Sequence, residues 1–365
     1  MKLLLLGATG HIGRRCASEL LRHPQVEALT LAGRNSSELE RLAERMRGRA
    51  QIRAAAFDIT KGGLPQHAAD HDRVVSCAGP GYELEQSCVD AAIEAGVDYV
   101  SLNDDVGAAR ESRKRHDDAI QKGVTIISGC GASPGLTDLL VALASEGLDE
   151  VHEVEISFAA SSADGGGPAT DLHFIAMLDR AAREGNDEPD EGARSPHPVY
   201  FPDPVGWIET FACRHPEELS VSRNHPGATA FRFRIGLAEK AVMDVVRAGI
   251  ATRSTGGELR RRLWLRSAAP VRPLLEKLSP KAAPWTGLRV DVRGGQGDRS
   301  KTVSYGVVDH LVNLASITLA QAAVDIPPGA PHGVWSADEV FEPRAFLRKT
   351  ASRGLTFARL EPHQL

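Results

Sequence analysis

Cysteine is scarce: Cys16, Cys77, Cys88, Cys130 and Cys213 are odd in number and scattered, and none stands in a CxxC pair. That usage argues against a disulfide framework and fits a reducing, cytoplasmic setting. No stretch approaches the roughly 18 to 20 uninterrupted apolar residues of a membrane span. The run Leu3–Leu6 is too short for a signal-peptide core and leads straight into glycines, so it reads as a buried strand. Charge of neither sign dominates. The formal net charge of -5 and a pI near 6.2 give no electrostatic reason for a nucleic-acid or anionic-membrane partner of the whole chain. Internal repeats and low-complexity tracts are missing. None of Tyr82, Tyr99, Tyr200 and Tyr305 has a lysine four residues later, which removes the short-chain dehydrogenase type of carbonyl chemistry. What remains is an ordinary globular composition, 42% apolar and 25% charged over 365 residues, enough for two domains. Small-molecule chemistry is the default.

The first third alternates short apolar runs with helical patterns, the signature of a doubly wound parallel sheet. Strands are predicted at Lys2 to Leu6, Ala28 to Ala32, Ile52 to Phe57, Arg73 to Cys77, Asp98 to Leu102 and Val124 to Ser128. Apolar positions three or four apart predict helices over Gly13 to Arg22, Ser36 to Met46 and Glu83 to Ala95. The first strand-to-helix turn reads Gly7-Ala8-Thr9-Gly10-His11-Ile12-Gly13. Glycines there let backbone N–H groups approach a pyrophosphate, and the following helix N-terminus favours negative charge. Ala8 departs from the strict GxGxxG, so position rather than the triplet carries the inference. The second strand ends in Arg34-Asn35, where an NAD enzyme places an acid on the ribose; a guanidinium there pairs with a 2′-phosphate, unless Arg34 is only an exposed strand-end arginine. NADP(H) is therefore the expected cofactor, with NAD(H) as the second choice. Asp58 stands where adenine contacts fall or caps Thr60-Lys61, and Cys77-Ala78-Gly79-Pro80 is a small-residue loop for the nicotinamide ribose.

From Gly129 onward the pattern changes to longer strands of alternating polarity. Val154, Ile156 and Phe158, then Phe231, Phe233 and Ile235, then Leu288, Val290 and Val292 mark a mostly antiparallel sheet with one face buried. Gly294-Gly295-Gln296-Gly297-Asp298 reads as a hairpin turn into Lys301 to Val307, and a helix follows from about Asp309 to Val324. The expected organisation is a nucleotide domain over 1–128, an α+β substrate and dimerisation domain over 129–308, and a C-terminal helix and tail over 309–365 that pack back on the first domain. Two segments stand apart. Arg183 to Arg194 is acidic and loop-like; 253–272 carries six arginines around Leu263, Trp264 and Leu265 and reads as a solvated helix face or a lid rather than a nucleic-acid or membrane patch.

Hydride transfer needs one group that manages a proton, so its signature is sparse. Asp104 and Asp105 follow the fifth strand; adjacent residues do not both point inward, so one is an acid/base or ammonium partner or both are solvated. Cys130 either packs beside the cofactor or acts as a nucleophile, and His173 is an acid/base or a capping histidine. Arg232 and Arg234 clamp a substrate carboxylate or merely alternate on a sheet face. His67 and His71 mimic metal spacing, but their place between two strands argues against a metal.

These segments together resemble the saccharopine dehydrogenase-like family, over nearly the whole chain. The resemblance rests on GATGHIG, LAGR, SCAGPGYE, GVDYVSLNDD, GCGASPGLTDLL, FPDPVGWIET and WSADEVFEPRAFLRKTASRG. It implies hydride transfer between NAD(P) and a carbon bonded to nitrogen in an amino-acid-like substrate, in a homodimer or larger assembly, with the Cys130 loop bordering nicotinamide and substrate. It also admits a trans-acting reductase of acyl or polyketide intermediates, and a non-catalytic NADP-binding regulator stays open because fold does not fix function. One departure is visible: the resemblance leads one to expect an acid after Tyr99-Val100, and this chain has Ser101.

Overall fold

The computed structural model describes residues 1–46, 48–184, 196–279, 284–297 and 299–361. Strands in chain order are β1 Lys2–Leu6, β2 Ala28–Gly33, β3 Gln51–Ala56, β4 Arg73–Ser76, β5 Asp98–Ser101, β6 Thr125–Ile127 and β7 Glu150–Ala160. They continue as β8 His197–Phe201, β9 Gly206–Cys213, β10 Ala230–Leu237, β11 Thr286–Gln296, β12 Arg299–Asp309, β13 Gly333–Trp335 and β14 Phe357–Leu360. The chain divides into two compact units, Met1–Leu139 with Val312–Gly354, and Leu140–Leu311 with the segment from Leu355.

The first unit is a seven-stranded parallel sheet in the order β13-β6-β5-β4-β1-β2-β3. Leu3 to Leu6 are buried, as a strand covered on both faces requires. Helices His11–Leu20, Ser36–Arg45 and Gly81–Ala95 supply crossovers, within two residues of the predicted starts and ends. Strand order reverses between β1 and β4, and ligands of open α/β sheets bind outside the carboxyl ends of strands at such a point. Arg73 ties the sheet to the helix Leu311–Asp325 region, donating to the carbonyls of Ala323 (2.6 Å) and Ile326 (2.8 Å).

The second unit holds a mixed sheet in the order β14-β12-β11-β7-β10-β9-β8, antiparallel except for the parallel pair β7 and β10. Here the structure corrects one expectation. The polar side of the alternating strands is not wholly solvated: Arg234 is 2% and Arg289 4% exposed, while Arg293 stays exposed. The sheet rolls so that Phe201 lies on Gly287, where a Cβ would stand 3.1 Å from its ring, and a Cβ at Gly236 would stand 2.3 Å from the Glu209 carbonyl oxygen. Residues Val312–Gly354 fall in the first unit, where β13 pairs with β6, whereas the last strand, β14, extends the open edge of β12 in the second sheet. The predicted glycine hairpin begins later than expected. β11 runs through Gly294, whose missing Cβ makes room 2.0 Å from the Glu150 carbonyl oxygen, to Gln296; Asp298 lies outside the described residues. So does most of the acidic stretch beyond Arg183.

Candidate functional site

The nucleotide loop is built by close backbone approach. Gly7 has φ +70°, and a Cβ on it would stand 2.7 Å from the Cys77 carbonyl oxygen; one on Gly13 would stand 2.1 Å from the Gly7 carbonyl oxygen. The Ala8 N–H donates to the Ala32 carbonyl (3.1 Å), that of Cys77 to Leu6 (3.0 Å), and that of Gly10 to Gly7 (3.0 Å). Thus the turns after β1, β2 and β4 are bound together at the switch point. No side chain caps helix His11–Leu20 at Gly10, or helix Gly81–Ala95 at Pro80. Their first N–H groups suit an anion, and no Cβ fills the loop at Gly7, Gly10 or Gly13, so the residues present fit a dinucleotide pyrophosphate.

The other predicted contacts separate by role. Thr9 lies beside Gly33, 3.7 Å from where a Cβ would be, while Gly10 and His11 are exposed and Ile12 is half-buried. Arg34 is exposed at the end of β2. Asn35 caps helix Ser36–Arg45, its Oδ1 accepting from the Glu38 N–H at 3.2 Å. Asp58 likewise caps, accepting from the Thr60 hydroxyl (2.8 Å) and N–H (3.0 Å). Those bonds from Thr60, with smaller help from Lys61 and Arg34, hold its carboxyl below the usual range. Ala78 and Gly79 continue the Cys77 turn into Pro80. His67 stacks on Phe57, and the ring of His71 is engaged by the Thr30 hydroxyl (2.7 Å) and the His67 carbonyl (2.8 Å), which accounts for both histidines without a metal.

Beyond β5 the two aspartates diverge. Asp105 is buried and caps helix Val106–Arg113, accepting from the Ala108 N–H at 2.8 Å; Asp104 is half-exposed. Cys130 is fully buried, and burial pushes its thiol far above the ordinary range, so it holds little of the thiolate that a nucleophile needs. His173 lies in the second unit, buried within helix Pro168–Glu184 rather than at its start.

Sequence reasoning missed Glu85. This buried carboxyl accepts from the hydroxyls of Ser101 (2.7 Å), Ser128 (2.7 Å) and Tyr99 (2.8 Å). Its carboxyl bonds the side chain at 101, the position where an acid was expected. The Asn103 amide donates to Ser128 Oγ (3.2 Å), and its Oδ1 accepts from the Asp105 N–H (3.2 Å), so one network sets the ends of β5 and β6. Burial raises the Glu85 pKa, opposed by the three hydroxyl bonds. A signal existed: Glu85 shares the apolar stripe of its helix with Cys88, Val89 and Ala92.

In the second unit, Arg232 and Arg234 belong to a mixed-sign surface. On β7, Glu155 has Arg232 on one side and Asp291 on the other, and Glu153 has Arg293 opposite. Arg234 Nε is 3.3 Å from Glu155, Arg232 3.7 Å from Glu153, and Arg289 makes two bonds to Asp291 at 2.6 and 2.7 Å. These groups line a cavity of about 370 Å³ with Tyr200 and Trp207. Burial raises the Glu155 pKa, and Arg234 opposes it.

A parallel sheet with this strand order and a glycine-built loop at its switch point defines a Rossmann-like dinucleotide-binding domain. Residues 3–127 match the family model described as the saccharopine dehydrogenase NADP binding domain. Among solved structures, C. glutamicum DAP dehydrogenase in complex with DAP is similar at 14% identity and TM-score 0.50, covering 97% of this chain and 99% of that one. At that identity the likeness is one of fold. An amine dehydrogenase from Mycobacterium smegmatis matches at 12% identity and TM-score 0.47, covering 94% and 98%. Among the described residues no helix is long and apolar enough to cross a membrane.

Proposed function

We propose that the chain is an NADP(H)-dependent oxidoreductase that transfers hydride at a C–N bond of an amino-acid-like substrate. Residues 1–128 serve as its NADP-binding domain and 129–308 as its substrate domain, in a cytoplasmic homodimer. The observation that carries the substrate class is the mixed-sign cavity. Guanidinium groups of Arg232, Arg234, Arg289 and Arg293 alternate there with the carboxylates of Glu153, Glu155 and Asp291. An amino acid brings one carboxylate and one ammonium, and a surface carrying both signs exchanges its internal pairs for those of the ligand.

NADP, when bound, accepts the hydride, or donates it when reduced. The loop Gly7–Gly13 and the two uncapped helix starts hold the pyrophosphate. Arg34 reads the 2′-phosphate, because it stands exposed at the end of β2 with no acid beside it in the chain. Of the predicted proton-handling groups in the first unit, Asp104 is the most exposed, Asp105 and Cys130 being buried, and it is the group assigned to move the proton.

Arg34→Asp is expected to shift the ratio of NADP(H) to NAD(H) affinities toward NAD(H) by roughly 10- to 100-fold, the scale of one or two charge-assisted bonds. Titration of nicotinamide fluorescence checks this, and an unchanged ratio would show that Arg34 does not read the phosphate. The reaction is tested by following absorbance of the reduced nicotinamide in both directions. NADP and NAD are offered with diamino and secondary amino acids, and NADPH with amine plus oxo-acid pairs. Turnover of any member supports C–N oxidoreduction; silence across the panel with NADPH binding intact overturns it.

A further inference from the structure

The arginine-rich stretch folds into helices Glu258–Ala268 and Arg272–Lys277, and it exposes leucines as well as arginines. Arg261 is buried, 3.7 Å from Asp179, whereas Leu259 is 73%, Leu263 55% and Leu274 60% exposed. Among the described residues, the exposed large apolar side chains other than Ile120 and Trp207 all lie between Leu259 and Leu278. Such a patch on one pair of helices marks a contact rather than chance.

Behind the patch, within the second unit, is a cavity of about 500 Å³ distinct from the charged one. Its walls are Leu172, Ile175, Val242, Val246, Trp264 and Leu275, and its volume falls in the range of small-molecule pockets. Trp264 fixes the wall: a Cβ on Gly249 would stand 2.8 Å from the indole, so helices Lys240–Ala251 and Glu258–Ala268 approach this closely because that residue is glycine. Arg262, Arg266 and Arg272 also line the cavity, against one lining carboxylate, Asp171. Arg272 bonds Asp171 (3.3 Å) and Glu276 (3.0 Å), and Arg262 bonds Glu258. Arg266 is exposed and has no carboxylate partner among the described residues.

We propose that this cavity binds a single-chain anionic amphiphile, with an alkyl or acyl chain along Leu172, Val242 and Val246 and the anionic head at Arg266 and Arg262. The apolar wall favours each buried methylene, and the excess of guanidinium over carboxylate at the lining selects the charged end. A zwitterionic amino acid offers no chain for these walls, so this site goes beyond the C–N reading and does not depend on it.

Calorimetric titration of the full chain with hexanoate, octanoate and decanoate below their micelle concentrations tests the site. Affinity should rise about fourfold per added methylene. Ala269→Trp and Val245→Trp, which place an indole in the cavity at lining positions that are not fully buried, should each weaken decanoate at least about tenfold, the loss of a couple of buried methylenes. NADPH affinity should not change in either variant, which also reports that each has folded. Arg266→Glu should weaken decanoate roughly fivefold at low salt and leave decanol unaffected. Affinity that ignores chain length, or decanoate binding that survives both tryptophan substitutions, overturns the proposal. So does association with anionic vesicles without uptake of decanoate, which would make the exposed leucines a membrane-surface patch instead.

Discussion

Gly13→Ala is expected to raise the Kd for NADPH about 100-fold and to cost roughly 2 to 3 kcal/mol of stability, because overpacking here meets backbone. The added methyl would stand 2.1 Å from the Gly7 carbonyl oxygen and 2.9 Å from its carbon. A flexible side chain gives way to such a contact, but this carbonyl accepts the Gly10 N–H at 3.0 Å, and the Gly10 carbonyl accepts the Arg14 N–H at 2.9 Å. Relief therefore opens the loop or shifts the helix, and either movement takes the N–H groups away from the pyrophosphate. Gly147→Ala is the control, since a Cβ there meets nothing within 4 Å. Fluorescence titration with NADPH and thermal unfolding of both variants decide the matter. Wild-type affinity in Gly13→Ala would mean that the dinucleotide does not lie against this loop.

The first unit was legible because its signals are local. A strand buried on both faces is a continuous apolar run such as Leu3–Leu6, and a glycine required by close approach sits at a fixed offset from that strand. Strand and helix ends came out within a few residues for the same reason. The second unit hides its logic in long-range packing. Alternation along β10 and β11 gives the right period, yet whether the polar side meets water depends on Phe201 lying on Gly287, some eighty residues away in the chain. Hence Arg234 and Arg289, whose strands predicted a solvated polar face, turned out buried against Glu155 and Asp291. In the arginine cluster, Arg260, Arg262 and Arg266 face water as composition says, and the partners Asp179 and Glu258 explain why Arg261 turns inward. Tail strand β14 shows the limit from the other side, since Phe357–Leu360 has strand character but no local mark of which sheet it joins.

Glu85 was legible only in retrospect, and it carries the second large effect. Glu85→Ala is expected to destabilise the chain by about 3 kcal/mol or more, because it orphans buried donors and leaves a cavity. The Tyr99, Ser101 and Ser128 hydroxyls all end on that carboxyl, and Gly129 N–H reaches the same Ser101 oxygen at 3.3 Å. Glu85→Gln keeps an acceptor and the volume, and hydroxyls accept as well as donate, so its cost at neutral pH should be well under half as large. The two variants also separate through pH. Burial, the largest influence on Glu85, raises its pKa, so the folded state holds this proton at pH values where the unfolded chain has released it. Its contribution is then fully present below the ordinary carboxylate range and is lost as pH rises through the raised folded value. Urea unfolding of the wild type should show stability declining across that window, and in Glu85→Gln the corresponding part of the decline should vanish. An identical slope in the two proteins would show that Glu85 ionises in the folded state as readily as in the unfolded chain, and that the three hydroxyl bonds cancel burial.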